Sequence, residues 1–268
     1  MPVARVLTLA ISLFALGCGT THSSPSSNTV SGGYEFVITS NVTGGVTLVE
    51  ANLSANGSQM SASGPSQVQI LTFEKKTWYV NGVCAGSAAG QNSVSANLDG
   101  DGVSVIFDDG GYQLPAQGVV VGSQMIGNYS ISGSSCPDLT GSPSTVPPIP
   151  PGVDQGGFVG TEVPTLAGTF SGTLNLPDGT DNAAVTLVEN SDRSLIATVV
   201  LTGAVDNGTF TFTGVAVGNV TLVTGTVNQQ SLTLLGYFDR AGTYTGFPNS
   251  LLLFDYGTLS KAGVLLAQ

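Results

Sequence analysis

The sequence predicts an all-β protein built from two tandem antiparallel meander domains. Three observations lead to this prediction: apolar and polar residues alternate in short runs, Asx-Gly pairs separate the runs, and one pattern occurs twice along the 268 residues. The chain is rich in Gly, Ser, Thr and Val, which disfavours helices and favours strands. Each domain is predicted to be a small barrel, with a β-sandwich as the alternative, because periodicity does not separate the two.

Period-two alternation marks the individual strands. Phe210 and Phe212 alternate with threonines, while Val103, Val105 and Phe107 share one face of another run. Asx-Gly pairs suit type I′ hairpin turns because both central residues need a positive φ. Such pairs recur at 56–57, 99–100, 178–179 and 207–208. We expect about seven to nine strands in each domain, and an eight-stranded meander removes its free edges by closing into a barrel.

One pentapeptide indicates an internal duplication. The letters Val-Thr-Leu-Val-Glu occur at 46–50 and again at 185–189. Further matches follow in the same order: Gly32-x-Tyr34 with Gly168-x-Phe170, Phe107-Asp108 with Phe238-Asp239, Gly110-x-Tyr112 with Gly242-x-Tyr244, and 119–121 with 251–253. The common order of these matches predicts two copies of one fold.

A proline-rich stretch between the copies predicts the domain boundary. Residues 146–151 read Val-Pro-Pro-Ile-Pro-Pro, which favours polyproline II and a semi-rigid spacer. The predicted organisation is a signal peptide at 1–17, a flexible tether at 18–32, a first β-domain at 33–141, a linker at 142–167 and a second β-domain at 168–268. Two modules on such a spacer would bind a ligand bivalently.

The charge balance excludes several classes of function. Six Lys and Arg residues stand against 17 Asp and Glu, which gives a net charge of -11. Nucleic-acid binding depends on clustered cations, so this chain is not expected to bind nucleic acid. The single histidine, His22, lies in the predicted tether and excludes most histidine-dependent catalysis and most zinc sites.

The N-terminus has the layout of an export signal. Arg5 precedes an apolar run from Val6 to Leu16, too short to span a bilayer. The segment Ala15-Leu16-Gly17-Cys18 resembles the lipobox of bacterial lipoproteins, in which Gly17 and Cys18 match while Ala15 and Leu16 stand in reverse order. The resemblance implies cleavage before Cys18, acylation of that cysteine and anchoring to a membrane of the cell envelope. Gly19 in place of Asp implies the outer membrane. The alternative is an ordinary secretory signal.

Two further cysteines, Cys84 and Cys136, remain for pairing. An exported compartment is oxidising, so we expect a disulfide between them. It would close a loop of about 53 residues and contribute about 4 kcal/mol. Two free buried thiols are the alternative.

Calcium is the one cofactor that the sequence leaves open. Asn97, Asp99, Asp101 and Asp108 nearly match an EF-hand loop, with Gly102 at the position of the turn glycine. The flanking residues alternate as strands rather than helices. A polar hairpin tip is therefore the preferred interpretation, and no resident metal or other cofactor is expected.

Two repeated carboxylates are the candidates for catalysis. Glu50 and Glu189 end the repeated pentapeptide, and paired carboxylates are what a glycosidase requires. A structural role, such as a carboxylate that accepts from a turn amide, is preferred. The sequence thus predicts a lipid-anchored envelope protein with a non-catalytic binding or structural role toward an unknown envelope or extracellular ligand. A carrier of a small apolar ligand in a barrel lumen and an envelope glycan hydrolase remain the alternatives.

Overall fold

All described secondary structure in this protein is β-structure. The computed structural model describes residues 30–41, 44–71, 91–109, 113–132, 153–176, 179–203, 207–255 and 261–268. Within these ranges the chain forms 17 strands and no helix. The predicted all-β class is confirmed. It follows that no described segment is a helix of the length and hydropathy needed to cross a membrane.

The first nine strands form one closed sheet. They are β1 Gly32–Ser40, β2 Val46–Asn56, β3 Gln59–Ser63, β4 Val68–Leu71, β5 Asn92–Asp99, β6 Gly102–Asp109, β7 Gln113–Val121, β8 Gln124–Ser132 and β9 Val153–Glu162. Strand β1 pairs with β2 on one side and with β9 on the other, which closes the barrel. Both β3 and β4 pair with β2, one after the other along its length, so they share one position of an eight-position barrel.

The last eight strands form a second closed barrel. They are β10 Gly168–Leu176, β11 Gly179–Glu189, β12 Ser194–Gly203, β13 Asn207–Val217, β14 Val220–Val227, β15 Gln230–Asp239, β16 Ser250–Asp255 and β17 Lys261–Ala267. Each strand pairs antiparallel with the next, and β17 returns to pair with β10. Two tandem antiparallel meander barrels are therefore the architecture of this chain, as the sequence predicts.

Aromatic and aliphatic side chains pack the inside of each barrel. In barrel 1, Phe107 contacts Phe36 and Phe158 edge to face, with ring centroids 5.1 and 5.8 Å apart. In barrel 2, Phe170 and Phe238 meet in the same way at 5.3 Å. These rings belong to two separate buried clusters, one in each barrel. Successive side chains alternate between this core and the outer face, as the period-two pattern requires.

The predicted linker is wrong in its second half, because residues 153–162 form β9. This strand completes barrel 1 between β8 and β1, so the first domain extends beyond residue 141. Its sequence is rich in glycine, which favours a loop at the sequence level. In the barrel these glycines make room for rings: a Cβ at Gly160 would meet the ring of Phe36, and one at Gly156 would meet the backbone of Thr39 and the ring of Tyr129.

The fold is duplicated, but most of the matched residues do not occupy equivalent positions. Gly32 lies opposite Leu53 and Gly168 lies opposite Leu187, so these two strand openings correspond. The repeated pentapeptide is then shifted by five residues between the barrels. An odd shift exchanges the two faces of a strand. Leu48 accordingly points outward from barrel 1, whereas its counterpart in the pentapeptide, Leu187, is in the core of barrel 2.

The later matches differ by one whole strand. Phe107-Asp108 lies on β6, the fifth position of barrel 1, while Phe238-Asp239 lies on β15, the sixth position of barrel 2. Residues 119–121 and 251–253 are displaced in the same way, on β7 and β16. The matches identified a repeated architecture, yet they do not assign equal roles to Glu50 and Glu189 or to Asp108 and Asp239.

Several predicted features lie outside the described residues. They are the signal peptide at 1–17, the lipobox with Cys18, nearly all of the tether at 18–32, the cysteines Cys84 and Cys136, and the proline-rich segment up to residue 152. The acylation and the disulfide therefore stay predictions.

A pair of substitutions on β9 tests the place of this strand. Phe158 is buried in barrel 1, and its neighbour Val159 is on the outer face with 38% of its surface exposed. We expect Phe158→Ala to lower the free energy of unfolding by about 3–5 kcal/mol, because it leaves a cavity. Val159→Ala should change it by no more than about 0.5 kcal/mol. Urea denaturation followed by circular dichroism measures both, and equal effects would contradict the assignment.

Candidate functional site: the cleft between the two barrels

The two barrels contact each other directly, through an apolar patch on their outer faces. Leu48 of β2 is 1% exposed although it points away from the core of barrel 1. It belongs to a third buried cluster with residues of barrel 2, among them Val220, Leu235, Tyr237 and Leu252. Partly buried residues of both barrels surround this cluster. The barrels therefore form a joined body, in contrast to the separate modules expected from the proline-rich spacer.

Two glutamates of barrel 1 lie next to this apolar patch. Glu35 on β1 and Glu50 on β2 are directly opposite each other in the antiparallel register. Both point outward, because Tyr34 and Ala51, their neighbours in the chain, are in the core. Barrel 2 covers Glu50 completely, so its side chain has no contact with solvent.

Barrel 2 supplies the partners of these glutamates, from the turn between β13 and β14 and from Tyr237 on β15. The backbone N–H of Asn219 donates to Glu50 Oε2 at 2.8 Å, and the side-chain amide of Asn219 donates to Glu35 Oε2 at 2.9 Å. Tyr237 OH donates to the same Glu35 oxygen at 2.8 Å. Beside them, Gly218 N–H donates to Asn52 Oδ1, and Asn52 Nδ2 donates to the carbonyl of Ala216.

Glycine is required at the tip of this turn. Gly218 has a φ of +55°, a conformation that favours glycine. A Cβ there would overlap Glu50 Oε2 and the carbonyl oxygen of Tyr34. The absent side chain lets the turn of barrel 2 approach the sheet of barrel 1 closely enough to form these hydrogen bonds.

Burial raises the pKa of the Glu50 carboxyl well above its usual value of 4.5, and the adjacent Glu35 raises it further. The Asn219 amide and, more weakly, Arg193 act in the opposite direction. Tyr237 responds to the same surroundings: burial and the two glutamates raise its pKa, so its hydroxyl keeps its proton and stays a donor. The polar part of the interface is thus a site where negative charge is disfavoured.

A second ionic group, centred on Arg193, supports the same turn. Arg193 Nη1 forms an ion pair with Glu189 Oε1 at 2.8 Å, and its Nη2 donates to the carbonyl of Gly218 at 2.9 Å. The other oxygen of Glu189 accepts a hydrogen bond from the backbone N–H of Leu166. The guanidinium also lies against Gly33 of barrel 1, where a Cβ would collide with it. Glu189 therefore has a structural role: it holds the Arg193 side chain and the backbone at Leu166 in place.

An open cleft of about 390 Å³ runs along this interface. Its walls include Glu35, Tyr237 and Tyr244, and the two tyrosine rings meet edge to face with centroids 5.8 Å apart. Arg240 lies over the Phe238 ring and donates to Asn219 Oδ1 and to the carbonyl of Pro164. Ligand sites usually have volumes of about 300–1,000 Å³ and a few convergent polar groups. The cleft has the size of a small-molecule site, and its walls combine aromatic and other apolar surface with a few polar groups.

Asp239 borders the cleft but serves a turn. Its carboxylate accepts from the backbone N–H groups of Thr243, Tyr244 and Thr245 and from the Thr245 hydroxyl, at 2.8–3.0 Å. Acceptance from turn amides is the structural role that the sequence favours for the repeated carboxylates.

The structure does not bring the four calcium candidates together. Asp99 and Asp101 lie at the β5–β6 hairpin turn, and Asn97 Oδ1 accepts from the Ser58 hydroxyl nearby. Asp108 lies on β6, seven residues after Asp101 and about 23 Å away for an extended strand, where it accepts from Gln113. Among the described residues, no group of three or more His, Cys, Asp or Glu side chains is placed to hold a metal ion.

The sequence predicts only a small part of this site. Glu50 and Glu189 are among the predicted candidates, whereas Glu35, Asn219, Tyr237 and Arg193 are not. One signal was present: Glu35 and Glu50 lie at outward positions next to the outward apolar residues Val37 and Leu48. A contiguous apolar patch on the outer face of a barrel marks a candidate interface, although the pattern does not name what covers it.

Comparison with known proteins adds no family to this description. No protein-family model matches the chain, and no curated protein matches it.

A matched pair of alanine substitutions tests whether the two barrels pack directly against each other. Leu48 and Ile106 both point outward from barrel 1, but Leu48 is covered by barrel 2 whereas Ile106 is 37% exposed. We expect Leu48→Ala to lower the free energy of unfolding by about 2–5 kcal/mol, because it leaves a cavity between the barrels. Ile106→Ala should cost about 1 kcal/mol or less. Equal small effects in urea denaturation would contradict direct packing.

Proposed function

We propose that this chain is a lipid-anchored protein of the bacterial cell envelope, held at the outer membrane, whose two-barrel body has a non-catalytic binding or structural role. The observation that carries the non-catalytic part is that both candidate acid/base carboxylates are engaged in the architecture. Glu50 accepts from the Asn219 amide, and Glu189 holds Arg193 and the Leu166 amide. A general acid or base must instead be able to reach a substrate.

The anchoring part rests on the N-terminal sequence. An apolar segment that ends in Gly17-Cys18 is followed by a polar stretch rich in Ser and Thr. Lipidation at Cys18 would attach the joined barrels to the membrane through that stretch. The net charge of -11 disfavours close contact with anionic headgroups, so the body would stand away from the bilayer.

The inter-barrel cleft is the proposed place for an envelope or extracellular ligand. It combines two tyrosine rings with carboxylate, amide and guanidinium groups around a concave space with a volume of about 390 Å³. The alternative of an apolar carrier has less support, since aromatic side chains such as Phe36 and Phe107 pack the inside of barrel 1, and Phe170 and Phe238 pack that of barrel 2.

Fractionation of cells tests the anchor. Wild type is expected in the membrane fraction, and Cys18→Ser is expected to be released into the soluble fraction or to keep its signal peptide. Thr20→Ala, a change two residues away, should behave as wild type. Incorporation of a labelled fatty acid into wild type but not into Cys18→Ser gives an independent measurement. Equal release of all three proteins would refute the anchor.

A glycan-degradation assay tests the non-catalytic role. Purified wild-type protein is incubated with peptidoglycan and envelope polysaccharide, and released reducing ends are measured. We expect no more release than with Glu50→Gln or Glu189→Gln, each checked for folding by circular dichroism. Activity in wild type that either variant abolishes would instead support the hydrolase.

A further inference from the structure

The Glu35–Glu50 pair has an arrangement that needs a proton. The two residues are direct cross-strand neighbours, and their carboxyl groups lie within hydrogen-bonding reach of each other. Like charges opposite each other on a sheet are destabilising. In this pair the repulsion is strong, because Glu50 is fully buried and water cannot screen its charge.

The individual oxygen atoms show where the proton belongs. Glu50 Oε2 accepts from Asn219 N–H, but Glu50 Oε1 is buried and has no donor. Glu35 Oε2 already accepts from Asn219 Nδ2 and Tyr237 OH. A proton on Glu50 Oε1 makes this atom a donor toward Glu35, which satisfies the orphaned oxygen and removes one of the two charges.

The other groups around Glu50 do not replace this proton. Arg193 is paired with Glu189 and donates to Gly218, and Arg240 donates to Asn219 and Pro164. Gln69, opposite Glu50 on β4, is neutral, and its amide donates to the Pro65 carbonyl. Tyr237 donates its only hydroxyl proton to Glu35.

We propose that Glu35 and Glu50 form a proton-operated latch between the barrels. With one proton held by the pair, the β13–β14 turn stays docked on β1 and β2. When this proton is lost, two adjacent carboxylates face that turn, and the docking of barrel 2 weakens. Glu35 lines the open cleft, so the pair can exchange its proton with solvent through that cleft.

The direction of the pH effect follows from the raised pKa of Glu50. When the barrels separate, this carboxyl returns to water and to its usual pKa of 4.5. The docked state therefore holds a proton that the separated state releases, in a pH window that starts near the usual value and extends upward. Docking is fully stabilised below this window and weakens as the pH rises through it.

Hydrogen exchange at two amides reports on the latch directly. Gly218 N–H and Asn219 N–H are both donors across the interface. Their protection factors, corrected for the intrinsic exchange rate, are measured in the full-length detergent-solubilised protein from pH 5 to pH 9. In wild type we expect protection of these two amides to fall at least tenfold, while amides in the β11–β12 pairing inside barrel 2 keep theirs.

Two variants separate the latch from other pH effects. Glu50→Gln places an amide N–H where the protonated carboxyl would donate, so protection at 218–219 should become independent of pH. Glu162→Gln removes an exposed carboxylate that lines the same cleft but belongs to β9, on the opposite side of β1 from Glu50, and it should retain the wild-type fall. The same fall in Glu50→Gln would overturn the proposal.

Small-angle scattering of the wild type gives a second measurement that does not depend on any variant. The maximum dimension should increase between pH 5 and pH 9 while the circular dichroism spectrum stays that of folded β-barrels. An unchanged dimension together with unchanged protection would overturn the latch. Loss of protection throughout both barrels, which means global unfolding, would also overturn it.

Discussion

The pairing of β1 with both β2 and β9 is the constraint on which the rest of the structure depends. It closes barrel 1 and sets the face of every residue on β1. Tyr34, Phe36 and Ile38 must point inward to fill the core, so Glu35 and Val37 must point outward. The same register places Glu35 opposite Glu50 on the outer surface. The inter-barrel site is therefore a consequence of how the first barrel closes, and a slip of β1 by one residue would turn Glu35 into the core.

The surface between the barrels joins an apolar contact to a polar one. The cluster around Leu48 and Tyr237 removes apolar area from water, which favours association. The glutamates beside it lose hydration, and this loss is offset by hydrogen bonds that Asn219 and Tyr237 donate to them. The absence of a side chain at Gly218 lets the turn approach closely enough for these bonds. Such a contact is sensitive to changes in charge, whereas the two aromatic cores are not. The two barrels are thus stable units, and the contact between them is the part of the protein that responds to changes in charge.

Much of the fold could be predicted from local patterns. Alternation of apolar residues and the positions of Asx-Gly pairs predict strands and hairpins, because these depend on neighbours in the chain. The site could be predicted only in part. The repeated pentapeptide suggested equal roles for Glu50 and Glu189, but pairing register places them on different parts of their barrels. Glycines of β9 resembled a linker, although Gly160 is a core position that accommodates the Phe36 ring.

By itself, the sequence determined the β class and the presence of two β-domains, each with its own core, since these follow from composition, periodicity and turn residues that act over a few positions. Only the tertiary structure decided where barrel 1 ends, which side of β2 faces outward, and which residues of the two barrels meet. Those features depend on contacts such as Asn219 with Glu50, between residues 169 positions apart in the chain. No local pattern encodes such a distance, because it is set by barrel closure and by the fit of one outer surface against another.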